Sequence, residues 1–116
     1  MSLINQFNST CLSFFNFLTE SSKNVTNTYI RDYITNCHLN NESTLVDQFV
    51  INILPFIENI KDRDVKFLLS PDLSKLFQNK IKISSYLNNE NKELIFSYLE
   101  LLCNMSIEYL KVTKLV

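Results

Sequence analysis

A chain without glycine must make every turn from residues that carry a β-carbon. This 116-residue sequence has no Gly, and it lacks Ala and Trp as well. The loops that cradle phosphates, the dinucleotide-binding fingerprint and the nucleophile elbow all need Gly backbone, so those chemistries are excluded. Tight Asn-Gly or Asp-Gly hairpins are excluded too, which argues against most β-sheet designs. Helices need Gly only at their C-terminal caps, where Asn is the second choice. The chain carries fifteen Asn. Asn, Ile, Lys and Phe are abundant, Arg occurs only twice, and the codons involved point to a strongly AT-rich genome.

The remaining composition describes a globular chain. It is 46% hydrophobic and 20% charged, with a formal net charge of -1. That hydrophobicity is too high for a disordered protein, and the length suits one domain, residues 1–116. Cys11, Cys37 and Cys103 are odd in number and form no CxxC pair. Buried free thiols in a reducing compartment are therefore expected, rather than disulfides or a zinc site. His38 is the single histidine, and adjacency to Cys37 is not metal-ligand spacing on a helix. No metal or cofactor is expected. Sequons occur at Asn8, Asn24, Asn41 and Asn104. The N-terminal apolar residues are interrupted by Asn5, Gln6, Asn8 and Asn16, so neither a signal peptide nor a membrane span is expected. The chain reads as intracellular, in a host cytoplasm or a virion, and not secreted.

Apolar spacing predicts an all-α fold, a single compact bundle of about four longer helices with short ones inserted. Ile4, Phe7, Cys11, Phe14 and Leu18 predict a helix over 3–19, with Ser2 as its cap. Tyr29, Ile30, Tyr33, Ile34 and Cys37 predict a second over 26–38. The third, about 43–60, is apolar nearly all round, as a central buried helix would be. Ser43 should cap it, and Pro55 should kink or split it. A short segment carries Val65, Phe67 and Leu68, and Ser70-Pro71-Asp72 then signals another helix start. Ile81, Ile83, Tyr86 and Leu87 predict a further short helix or a strand-like piece. The closing helix, about 90–113, carries a heptad-like stripe of Leu94, Tyr98, Leu101, Met105 and Val112. Ile95, Leu99, Leu102, Ile107, Tyr109 and Leu110 widen it.

Few residues carry chemistry. Glu58, Asp62, Asp64 and Asp72 could hold a cation, but Lys61, Arg63 and Lys66 are interleaved with them, which reads as a salt-bridged connector. Lys75, Lys80 and Lys82, with Phe77 and Tyr86, form a small basic patch with aromatics that could contact nucleic acid. The slightly acidic chain weighs against that. A serine or cysteine nucleophile would have only His38 as its base, and nothing local supports an enzyme. Phe14, Phe15 and Phe17 cannot all face one side of a helix, and the third helix also exceeds one apolar face. Surplus apolar surface points to a protein partner or self-association. Phe14, Phe17, Phe56, Tyr98 and Tyr109 are the candidate contact residues.

Two stretches carry a resemblance. Asn52-Ile53-Leu54-Pro55-Phe56-Ile57, then Ile60-Lys61-Asp62-Arg63-Asp64 with Phe67-Leu68, resembles a pattern in small uncharacterised proteins of nucleocytoplasmic large DNA viruses. Asn91-Lys92-Glu93-Leu94-Ile95-Phe96-Ser97-Tyr98-Leu99, followed by Leu101-Leu102, is similar to their closing helix, with Phe96 in place of a Trp and Ser97 in place of a Lys. The likeness spans residues 52–110 and rests on helix-packing positions. It implies a viral, helical, non-enzymatic protein and brings no catalytic residues. The resulting expectation is a virus-encoded interaction module, either a minor virion component or a modulator of host or viral machinery. The alternative is a nucleic-acid-associated helical protein.

Overall fold

Among the described residues the chain forms helices and turns, with no strand. The structure is a computed structural model and describes residues 2–21, 28–70, 73, 75 and 90–113. Helix α1 runs Leu3–Ser21. Its start is fixed as the sequence suggests, for the Asn5 amide donates to Ser2 Oγ at 3.0 Å. Helix α2 is Thr28–Leu39, and α3 is Thr44–Asn52. Pro55 has no N–H to continue the α3 ladder, so the chain tightens into a 3-10 turn at Leu54–Phe56. It resumes as α4, Ile57–Lys61. The short α5 spans Val65–Leu68, and Asp64 caps it by accepting from the Lys66 amide at 3.0 Å. Helix α6 is Lys92–Thr113. The helix predicted from Ser70-Pro71-Asp72 and the segment around Ile81–Leu87 lie outside the described residues, except that Leu73 is helical and buried.

Two helix ends show how a chain without Gly turns. After α2, Asn41 takes φ 53°. The Glu42 amide then donates to Cys37 O at 2.9 Å, and the Asn41 amide to His38 O. After α4, Arg63 takes φ 56°, with Asp64 donating to Asn59 O at 2.9 Å and Arg63 to Ile60 O. Each pair of bonds is the Schellman closure that usually takes Gly. Asn tolerates the left-handed conformation, whereas Arg there costs on the order of 1 kcal/mol. Side chains offset that cost. Arg63 Nη1 donates to Glu100 at 2.7 Å and to its own helix at Ile60 O, and Nε donates to Glu93 at 3.0 Å. The guanidinium also lies 5.6 Å from the Phe96 ring centre. Hydrogen bonds donated to Glu100, and then to Glu93, hold the Arg63 guanidinium above its ordinary pKa. The expected salt-bridged connector therefore pairs with α6 through Arg63.

The core forms around α1. That helix packs against α2 on one side and α6 on the other, and it also meets α3. Phe7, Cys11, Phe14, Phe15 and Leu18 are all buried, so two of the three clustered Phe find cover on opposite flanks. The third helix is not the central one. α3 buries only Leu45, Val46 and Phe49, and Ile51 is exposed, because α1 occupies the middle. Ser43 caps α3 differently from expectation. Its hydroxyl donates to Asp47 Oδ2 at 2.8 Å, and its side chain makes no bond to an amide of the first turn. Asp47 Oδ1 also accepts from Tyr109 Oη at 2.9 Å, which ties the start of α3 to the end of α6.

Among the described residues, three polar side chains are buried, Asn8, Asn91 and Ser106, and Asn8 joins two elements. Asn8 is fully buried and donates from Nδ2 to Cys37 O at 3.0 Å and to Glu42 O at 2.9 Å. It thus holds the α2 closure against α1. A sequon in that position cannot be glycosylated in the folded protein.

All three cysteines are free and buried. Burial pushes the thiol pKa up at Cys11 and Cys37, and at Cys103 up to about 12. Thiols held neutral in the folded state but ionisable when unfolded contribute stability below the ordinary thiol pKa. That stability is lost as pH rises through the folded values. Unfolding free energy should therefore fall from about pH 9 upward, by at most about 1.4 kcal/mol per pH unit for each thiol. Denaturant titrations at stepped pH would show it. A flat profile from the neutral range to pH 11 or so would refute it.

Candidate interaction surface

Helix α6 carries two apolar stripes rather than one. Ile95, Phe96, Leu99, Leu102 and Cys103 face the core and are buried. Leu94, Tyr98, Leu101 and Met105 recur at the same helical spacing, rotated toward solvent. The heptad-like stripe in the sequence is this outer one. Of the residues that widen it, Ile95, Leu99 and Leu102 make the core contact. Leu94 is 51% exposed and Leu101 45%, while Tyr98 and Met105 are half-buried.

Tyr98 anchors the outer stripe. Its ring stacks on Phe14 at 5.1 Å between centroids, with an interplanar angle of 25°, and lies 5.6 Å from Phe17. These are separations at which aromatic pairs attract beyond simple burial. Leu94, Ser97, Tyr98 and Leu101 line a shallow open groove of about 240 Å³. Small-molecule sites usually enclose about 300 Å³ or more and bury most of the ligand. This groove instead has the make-up of a macromolecular contact, with a fixed aromatic, flanking Leu and a polar margin. Covering Leu94 and Leu101 would contribute on the order of 1 kcal/mol each.

The five proposed contact residues separate on inspection. Phe14 is 0% exposed and Tyr109 is 8% exposed, so neither is a surface residue. Phe14 is enclosed beneath Tyr98, and Tyr109 is held down by its bond to Asp47. Phe17 and Tyr98 are brought together at the groove. Phe56 is half-buried and packs on Phe67 at 5.1 Å. Leu94 and Leu101, which the sequence places in the heptad-like stripe but not among the contact residues, also line the groove. The signal that marks them was present, for the apolar residues of α6 exceed one face just as those of α3 do.

The other candidates gain less. Lys75 is exposed, and Lys80 and Lys82 lie outside the described residues. Glu58 and Asp62 are exposed and Asp64 serves as a helix cap, while Asp72 lies outside the described residues. Among the described residues, no three His, Cys, Asp or Glu side chains cluster closely enough to hold a metal ion. No described helix is long and apolar enough to cross a membrane. Two further grooves open to solvent. One, of about 310 Å³, is lined by Ser2, Leu3, Ile4, Tyr109 and Val112. The other, of about 370 Å³, is lined by Arg63, Val65, Lys92, Glu93 and Phe96.

Comparison with known proteins gives no relative. No protein family, curated protein or solved structure matches the chain.

Proposed function

We propose that the protein is a virus-encoded helical interaction module. It would act inside the host cell or virion, as a minor virion component or as a modulator of host or viral machinery. The observation that carries the interaction reading is the row of exposed Leu94 and Leu101 about the half-buried Tyr98, backed by Phe14 and Phe17. Such a row suits the apolar face of an amphipathic helix laid along α6. The viral part rests on the AT-rich composition and on the likeness over residues 52–110. Three buried free thiols accord with a reducing compartment.

The test is capture of partners from the native or infected cell, with nuclease treatment, by the wild-type chain and by Leu101→Glu. Leu101 is an exposed position, so the charge should leave the melting temperature within a few degrees. The expected result is one reproducible protein partner that survives nuclease and is lost with Leu101→Glu. Loss of every partner on nuclease treatment would favour the nucleic-acid reading through Lys75, Lys80 and Lys82. Capture unaffected by Leu101→Glu would remove this face from the function.

A further inference from the structure

The outer stripe of α6 is more regular than a general apolar patch. Positions 94, 98, 101, 105, 108 and 112 alternate steps of four and three, the repeat of a coiled-coil seam. Glu108 is the one charged residue in that row. It is exposed, and Lys111 reaches its carboxylate at 3.4 Å. The seam therefore has an apolar half, from Leu94 to Met105, and a charged end.

We infer that this face pairs with the same face of a second copy, the two α6 helices running antiparallel; this rests on the interaction reading above and names its partner. A dyad between Tyr98 and Leu101 sets Leu94 against Met105 of the second copy, and Tyr98 against Leu101. Every apolar member of that half then meets an apolar member.

Charge selects the direction. In a parallel pair, Glu108 would face Glu108, and the two helix dipoles would lie side by side in the same sense. In the antiparallel register, Glu108 of one copy falls level with Asn91 of the other, between Glu90 and Lys92, whose charges oppose each other there, and beside the α6 N-terminus, where a carboxylate is favoured. Lys111 comes within two residues of Glu90 of the second copy along the axis, about 3 Å of rise. The residues flanking the apolar half on the polar side are Ser97 and Asn104, which place no like charges against each other.

The pairing is not needed to give the monomer an ordinary folded surface. That surface is 6526 Å², near the roughly 6,600 Å² of a folded monomer of this size. Pairing through one face of one helix buries less area than an obligate dimer does, so dissociation should fall in the micromolar range. A variant that breaks the contact should still fold.

Sedimentation of the full chain over a wide concentration range tests the pairing. The expected result is a monomer–dimer equilibrium that Leu101→Glu weakens by about tenfold or more, with the circular dichroism spectrum unchanged. Direction is read with a short bismaleimide. Leu94→Cys mixed with Met105→Cys should cross-link efficiently, and each variant alone should do so poorly. The native thiols are buried and should not compete. Efficient cross-linking of Leu94→Cys with itself would overturn the antiparallel register. A dimer indifferent to Leu101→Glu would place self-association elsewhere. A chain that stays monomeric at high concentration would overturn the pairing, and the broader interaction reading would then stand or fall on Leu101-dependent capture from cells.

Discussion

Replacing Phe14 by alanine is expected to remove a large share of the protein's stability. Phe14 is fully enclosed, and its ring supports Tyr98 from below. Truncating a buried Phe to Ala costs about 3–5 kcal/mol, from lost burial plus the cavity left behind. Total stability for a domain of this kind is about 5–15 kcal/mol, so the melting temperature should drop by tens of degrees or the fold should fail. Thermal melting followed by circular dichroism measures it. Phe17→Ala is the informative contrast, because Phe17 is only partly covered. It should destabilise by about 1 kcal/mol and act mainly on partner binding. A Phe14→Ala protein that melts near the wild type would show that the ring is not a core element.

The second large effect is expected at Asn8. Its amide nitrogen closes two buried carbonyls, Cys37 O and Glu42 O. Asn8→Asp keeps the shape but replaces that donor with an anion aimed at two acceptors. A buried, unpaired charge opposite carbonyl dipoles should cost about 3–5 kcal/mol at neutral pH. The loss should shrink as pH falls, because a protonated carboxyl can donate to one of the carbonyls. The unfolded variant ionises near the ordinary carboxylate value and the folded one well above it. Stability relative to wild type therefore recovers on the acid side and is lost as pH rises through the folded value. Urea unfolding of both proteins across that range decides the matter. A pH-independent difference would mean that Asn8 acts by packing alone.

The elements that sequence reveals here are those with local causes. Ser2 caps α1, Pro55 ends α3, and the Asn-rich stretch after Leu39 holds the turn that closes α2. Each depends on residues within a turn of one another. What stays hidden is which face of a helix meets which neighbour. The outer stripe of α6 has the cleaner period, yet the less regular set at Ile95, Leu99 and Leu102 is the one that α1 and α4 cover. Period states that a face is apolar; it does not state how many neighbours the helix has. The same gap explains Phe14 and Tyr109. Both are large aromatics on amphipathic helices, and only long-range partners, Tyr98 for one and Asp47 for the other, decide that they lie inside. Leu94 and Leu101 reverse the case, for they sit in the most regular stripe of the helix and stand in solvent.

The turn at Arg63 has a bearing on how the chain assembles. A Gly in that position would end α4 by itself, as soon as the local segment formed. Here the left-handed residue is held by Glu93 and Glu100, about thirty or more residues onward, and by the face of Phe96. Part of the signal that stops α4 is therefore delivered by another helix, and that part arrives only once α6 has docked. A peptide ending before α6 should show a frayed, overrunning α4. In the intact protein, amide hydrogens at the end of α4 and at the start of α6 should exchange together, as one cooperative opening unit.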